Sequence, residues 1–173
     1  MKTILYATDY SENAKTAIKY AHVLSSKMGA TLLVIHIYKL PLILGLELEA
    51  FYDELEKTTF EKNQTKLINF CKKHLGQNLD LLKVKTYSFE DLSVVHGIIS
   101  KATEHKASMI IIGMKKESTI KELFMGDTSM DIIEKAPCQV LAIPKDANFQ
   151  NLKTIVYATD FEQEDIEGIL KVS

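Results

Sequence analysis

Alternation between two periodicities is what most restricts the fold of this chain. Short β-rich apolar runs stand at TILYATD from Thr3, TLLVIHIY from Thr31, LDLLKVKTY from Leu79, ASMIIIGM from Ala107 and CQVLAIP from Cys138. Between them lie segments whose apolar residues recur three and four apart, the spacing of one helix face. In the first such segment Ala14, Ala17, Ile18, Ala21, Val23 and Leu24 mark a helix, with Ser11 as N-cap and Gly29 as its stop. A second helix is expected from about Leu46 to Leu75, interrupted near KTTF because Thr58 and Thr59 are weak helix formers. A third opens with Ser88 as N-cap and Asp91 three residues later, a variant of the capping box. A fourth lies within STIKELFMGDTSMDIIEKA, with no sequence signal that fixes its start. TLLVIHIY is almost continuously apolar, as a strand buried on both faces must be, and ASMIIIGM is the most apolar run, expected at the sheet's centre. The order β-α-β-α-β-α-β-α-β predicts an α/β fold: a parallel sheet between two layers of helices, joined by right-handed crossovers. Periodicity leaves the strand order open.

After Pro144 the chain turns polar, and KTILYATDY from Lys2 then recurs as KTIVYATDF from Lys153. Repetition at domain length is the mark of a tandem architecture. The expected organisation is a domain over residues 1–146, a linker over 147–152, and over 153–173 the first strand and helix start of a second, truncated copy. The strand-like stretch 154–159 has no sheet of its own and needs an edge to pair with.

A net charge of −2 gives no bulk attraction to nucleic acid or an anionic membrane. The apolar stretch LPLILGLEL is nine residues long, far short of the roughly 20 that span a bilayer. It reads either as a loop packed on the domain or as a lid or contact surface. No charged, apolar and small-residue segments stand in leader order at the start, so a cytoplasmic protein is expected. Cys71 and Cys138 lie in apolar segments with no metal or redox spacing, and read as two buried thiols.

Ligands of open α/β sheets bind beyond the carboxyl ends of the strands, where the strand order reverses. The residues to inspect therefore follow each strand: Thr8 and Asp9, then His36, Ile37 and Tyr38, then Gly113. Asp9 has two readings, a carboxylate serving the first helix's N-terminus or a contact to a ligand hydroxyl, amide or metal. Gly113 permits close backbone approach, and Gly126 interrupts a helical pattern just before Asp127 and Thr128. Two glycines so placed suggest a phosphate cradle, although no Walker spacing is present. The five histidines are scattered and no nucleophile elbow occurs. Nothing in the sequence supports a turnover enzyme.

These pieces together resemble the universal stress protein family. ILYATDYSENAKTAIKYA is similar to the family's opening, LLVIHIY to its second strand, and IIIGMKKESTIKELFMGDTSMDIIEKAPCQVLAIP to its closing signature. The resemblance covers residues 1 to about 146 and begins again at Lys153. It implies a three-layer α/β/α sandwich of Rossmann-like, adenine nucleotide α-hydrolase type, with strand order 3-2-1-4-5 and commonly a homodimer. It places Ala7, Thr8, Asp9 and Ile37 at the adenine and ribose. It places Gly113, Lys116, Gly126, Asp127 and Thr128 at the phosphates. Nucleotide-binding members carry glycine where this chain has Lys116, and Ser or Thr where it has Asp127. An anion beside a polyphosphate is repulsive. The resemblance thus implies a stress-response module working by dimerisation or partner binding, with a degenerate nucleotide site. The alternative is an ATP-binding switch, with Mg bridging the charges and at most slow hydrolysis.

Overall fold

The computed structural model describes residues 2–40, 49–77, 80, 83–114, 127–149 and 156, with residues 49–51 as backbone alone. The elements are β1 Thr3–Ala7, α1 Glu12–Lys27, β2 Thr31–Tyr38, α2 Glu49–Leu75, β3 Val84–Glu90, α3 Val94–Glu104, β4 Met109–Gly113, α4 Asp127–Lys135 and β5 Gln139–Ile143. All neighbouring strands are parallel, in the order β3-β2-β1-β4-β5. Consecutive connections thus run outward from β1 to one edge, then return across it to β4, and the reversal falls beside β1.

The continuously apolar strands are explained by the two cores they serve. Ile4, Tyr6, Leu32, Val34 and Ile111 point to one side, where Ile18 of α1 and Leu67 of α2 meet them. Leu5, Leu33, Ile35, Ile110 and Ile112 point to the other, against Ile98 of α3 and Ile132 of α4. Side chains alternate along a strand, so a strand covered on both faces needs apolar residues at every position.

Several local expectations are corrected. The second helix does not break at KTTF: α2 runs unbroken from Glu49 to Leu75. Thr58 donates its hydroxyl to the Glu54 carbonyl at 2.8 Å, so it is satisfied without leaving the helix. Ser88 is no cap. It is a fully buried residue of β3, and that strand begins five residues later than expected. The cap of α3 is Ser93, whose hydroxyl accepts the His96 N–H at 3.3 Å, while Asp91 accepts the Ser93 N–H at 2.9 Å. Gly29 does end α1, at φ +61°, a left-handed conformation glycine adopts at low cost. Of the two cysteines, Cys71 is buried and Cys138 only partly so.

The outer margin of β3 is met by one side chain. Gln64 of α2 donates from Nε2 to the Thr86 carbonyl at 3.1 Å and to its Oγ1 at 3.2 Å. Its Oε1 accepts the Ser88 N–H at 2.8 Å and the Ser88 hydroxyl at 3.0 Å. Beyond β5 the chain crosses α1 rather than leaving at once. Thr16 donates to the Lys145 carbonyl at 2.8 Å, and the Phe149 ring lies 4.8 Å from that of Tyr20. The apolar stretch at 41–48 lies outside the described residues, as does the repeated phrase apart from Val156, which is exposed.

Candidate functional site

The turn between β1 and α1 is braced at every residue. The Thr8 N–H donates to the Ile35 carbonyl at 3.0 Å, extending the β1–β2 ladder by one residue. The Thr8 hydroxyl oxygen accepts the Tyr10 N–H at 3.1 Å, and Asp9 Oδ1 accepts the Ser11 N–H at 3.0 Å. The Ser11 carbonyl accepts the Ala14 N–H at 3.1 Å and starts α1. Ser11 is thus the N-cap by position, but its hydroxyl makes no capping bond. Asp9 supplies the local side-chain bond instead.

This bracing holds Tyr10 at φ +61°, uncommon for a residue with a side chain. Its ring packs 4.4 Å from His36 and 5.3 Å from Phe70, with the Lys66 ammonium 4.1 Å from its centre. The Tyr10 hydroxyl is buried and has no partner among the described residues. One residue pair further in, Tyr6 donates its hydroxyl to the Ala14 carbonyl at 2.8 Å, tying β1 to α1.

His36 joins the turn to β2. Its Nδ1 lies 2.9 Å from the Thr8 carbonyl, which can only accept, so the proton sits on Nδ1. Burial holds the imidazole below its ordinary pKa, and the nearby Lys66 charge acts in the same sense. The Thr8 carbonyl and Asp9 oppose them without prevailing.

At the end of β4 the backbone approaches α1 closely. A Cβ on Gly113 would stand 3.2 Å from the Asn13 carbonyl oxygen. Any side chain there would press on the backbone of the first turn of α1. The further wall is α4, whose first turn presents Asp127, with Thr128 and Ser129 beside it.

Between these walls lies a cleft of about 510 Å³, at the reversal of strand order. Ala7, Thr8, Asp9, Ile37, Gly113, Asp127 and Thr128 all line it. The sequence singled out these positions from four separate segments of the chain, and the fold brings them together. Lys116 and Gly126 lie outside the described residues. The sequence reading missed the apolar wall: Val94 and Ile98 from α3, Ile112 from β4 and Ile132 from α4. Val94 and Ile98 stand four apart, a helical spacing that could have placed them on the face toward the strand ends. It also missed the link from His36 back to Thr8.

The universal stress protein family profile matches residues 1–144. This chain belongs to the universal stress protein family. A relative from Thermus aquaticus, named a universal stress protein in a sulfhydrylase gene's 3′ region, is 32% identical over 148 residues. That match covers 82% of this chain and 98% of the relative. Universal stress protein MJ0577 of Methanocaldococcus jannaschii is 24% identical over 162 residues. Its solved structure superposes with a TM-score of 0.60, covering 87% of this chain and 98% of that one. A universal stress protein from Archaeoglobus fulgidus, solved in complex with dAMP, superposes with a TM-score of 0.53 at 18% identity. That superposition covers 83% of this chain and 98% of the other. The family fold is thus shared along nearly the whole of each relative. Among the described residues, no helix is long and apolar enough to cross a membrane, and no three His, Cys, Asp or Glu are grouped to hold a metal.

Proposed function

We propose that this universal stress protein module holds the adenosine part of an adenine nucleotide in its cleft and acts through contact with a partner, first of all a second copy of itself. The observation that carries the reading is the convergence of Thr8, Asp9, Ile37, Gly113 and Thr128 on one cleft where the strand order reverses. Support comes also from the dAMP complex of the Archaeoglobus fulgidus relative.

The assigned roles follow the chemistry of each group. Ile37, Ile98 and Ile112 offer an apolar surface to a base. The β2 backbone at Ile37 offers its polar groups to the base edge. Ala7 leaves room beside them. Thr8 and Asp9 face the sugar; a carboxylate accepts several hydrogen bonds, so Asp9 serves both the Ser11 N–H and ribose hydroxyls. Gly113, Asp127 and Thr128 border the 5′ substituent; the family resemblance gives Lys116 and Gly126, outside the described residues, the same role. Neither a nucleophile nor a general base is assigned, and no hydrolysis is proposed as the function.

Calorimetric titration of the full chain with AMP and adenosine tests this. Saturable binding is expected, together with its loss in Asp9→Ala. No binding by either compound at millimolar concentration would overturn it. Sedimentation is expected to show a homodimer.

The second reading, an ATP-dependent switch with Mg bridging phosphate and Asp127, draws on two adjacent hydroxyls, Thr128 and Ser129, in the cleft wall. It requires Mg-ATP to bind more tightly than AMP in the same titration.

A further inference from the structure

We infer that His36 is a positioning residue of the cleft: it holds the Thr8–Asp9 peptide where these two residues can read the sugar, and so sets the preference for a ribose with both hydroxyls. The inference rests on the adenosine reading above and adds the group that aligns the sugar end of the site with its base end.

Two consecutive residues of β2 do different work. Side chains alternate along a strand, so Ile37 falls on the face packed by α3 and α4, and His36 on the face packed by α1 and α2. Ile37 is the residue assigned to the base. His36 donates from Nδ1 to the Thr8 carbonyl at 2.9 Å. The base contact and the grip on the sugar turn are therefore one residue apart on a strand at the centre of the fold, a spacer that hardly deforms. The side-chain bonds within the turn, Thr8 to Tyr10 and Asp9 to Ser11, are local. They set the turn's shape but not its distance from β2. Two bonds set that distance: the Thr8 N–H to the Ile35 carbonyl at 3.0 Å, and the one from His36.

The His36 bond acts on the peptide that carries Asp9. The unit joining Thr8 to Asp9 is planar and trans, so its carbonyl and its N–H point in opposite directions. With the carbonyl held toward β2, the N–H is turned to the side of β4, where the strand order reverses. Fixing that plane fixes the Asp9 Cα and the base of its side chain. A carboxylate recognises hydroxyls only within a narrow range of distance and angle, so a small rotation of this peptide weakens the contact. The ring that does the holding is itself held. Tyr10 lies 4.4 Å from it, and Phe70 and Lys66 of α2 back Tyr10 from outside the cleft. Burial keeps the imidazole neutral at pH 7.5, which leaves a single N–H, and that one is committed to Thr8.

The test uses adenosine and 2′,3′-dideoxyadenosine, which differ only in the sugar hydroxyls. Both are titrated into the full chain and its His36 variants at pH 7.5, and the ratio of the two dissociation constants is read. The unaltered protein is expected to favour adenosine by about tenfold or more. In His36→Asn the amide nitrogen stands as many bonds from Cα as Nδ1 does, so the donor is kept and the ratio stays within about threefold of its original value. His36→Leu removes the donor and His36→Gln moves it one bond further out. In both the ratio falls to about threefold or less, while the affinity for dideoxyadenosine, which depends on the base end, changes by less than about threefold. Urea midpoints are measured alongside. A role in packing alone would lower the midpoint in all three variants and leave the ratio untouched. An unchanged ratio in His36→Leu, or in His36→Gln if the former does not fold, would overturn the inference. So would a loss in His36→Asn equal to that in His36→Leu. Equal binding of the two compounds by the unaltered protein overturns it too, because the turn would then not be reading the sugar. If neither compound binds, the adenosine reading falls and this inference with it.

Discussion

On the β1–α1 side of the cleft, Thr8, Asp9, Tyr10 and Ser11 are tied to each other, to β2 and to α1 by hydrogen bonds, and the Tyr10 ring is packed against His36 and Phe70. On the α4 side, no hydrogen bond among the described residues engages the side chains of Asp127, Thr128 or Ser129. The first wall is part of what holds the domain together. The second is a set of groups carried by a helix that Ile132 anchors to the sheet from below. A residue that braces the fold cannot change without a cost in stability, whereas one that only faces the cleft can. Ligand preference is therefore free to diverge at α4 while the turn stays as it is.

The largest expected effect separates the two walls. Tyr10→Ala removes a ring that fills the space between His36, Phe70 and Lys66, and should destabilise the protein by about 2–3 kcal/mol. Asp127→Ala should change stability by less than about 0.5 kcal/mol, as exposed helix substitutions do. Urea denaturation of both variants decides, and similar losses would erase the distinction. Next is Gly113→Ala, at the seam where the walls meet. The added methyl would press on the Asn13 carbonyl oxygen at 3.2 Å, and the α1 backbone would have to give way. A loss of about 1–2 kcal/mol is expected from such overpacking.

Two smaller effects sharpen the account of the braced wall. Tyr10→Phe keeps the ring and deletes a buried hydroxyl that has no partner among the described residues. It should be neutral or stabilise by up to about 1 kcal/mol. The repeated phrase already carries Phe161 at the equivalent place. A clear loss of stability on this change would mean that the hydroxyl is bonded after all. The smallest effect is a pH dependence. His36 has its folded pKa lowered from 6.5, so the unfolded chain takes up its proton first as pH falls. Stability is undiminished above 6.5 and declines as pH drops below it. His36→Gln should flatten this slope between pH 7 and 5.5 without removing it, because His74 is shifted in the same direction. An unchanged slope would show that burial does not hold the His36 pKa down in solution.

Long periodic patterns were legible, and local choices among similar residues were not. Two-sided burial wrote itself into TLLVIHIY and ASMIIIGM as nearly continuous apolar runs, so the parallel sheet could be read directly. The strand order could not: it came from the family resemblance, since side-chain period says nothing about which strand lies beside which. Ser88 and Ser93 are equally good capping residues by type. What separates them is tertiary: Ser88 lies opposite His36 in the β2–β3 ladder and bonds to Gln64, while Ser93 caps α3. Thr58 looked like a break because propensity counts each residue alone, while its hydroxyl found a carbonyl one turn back. Within the cleft, residues that end strands were legible, because the fold class says where ligands sit. His36 was noticed by position, but its hydrogen bond to Thr8 depends on a tertiary approach that no spacing encodes.

The Gln64 side chain has a further consequence. A primary amide is a peptide group in miniature, N–H donors at one end and a carbonyl acceptor at the other of a planar unit. Placed against Thr86 and Ser88, it imitates a single residue of a neighbouring strand. The margin of a sheet is where one chain recruits another, since its open groups will accept any extended segment. Here an intruder would find the outer position at β3 already taken, and would have to dislodge Gln64 from four contacts before docking. Under conditions that fill a cell with partly unfolded chains, this flank of the protein is a poor seed for them.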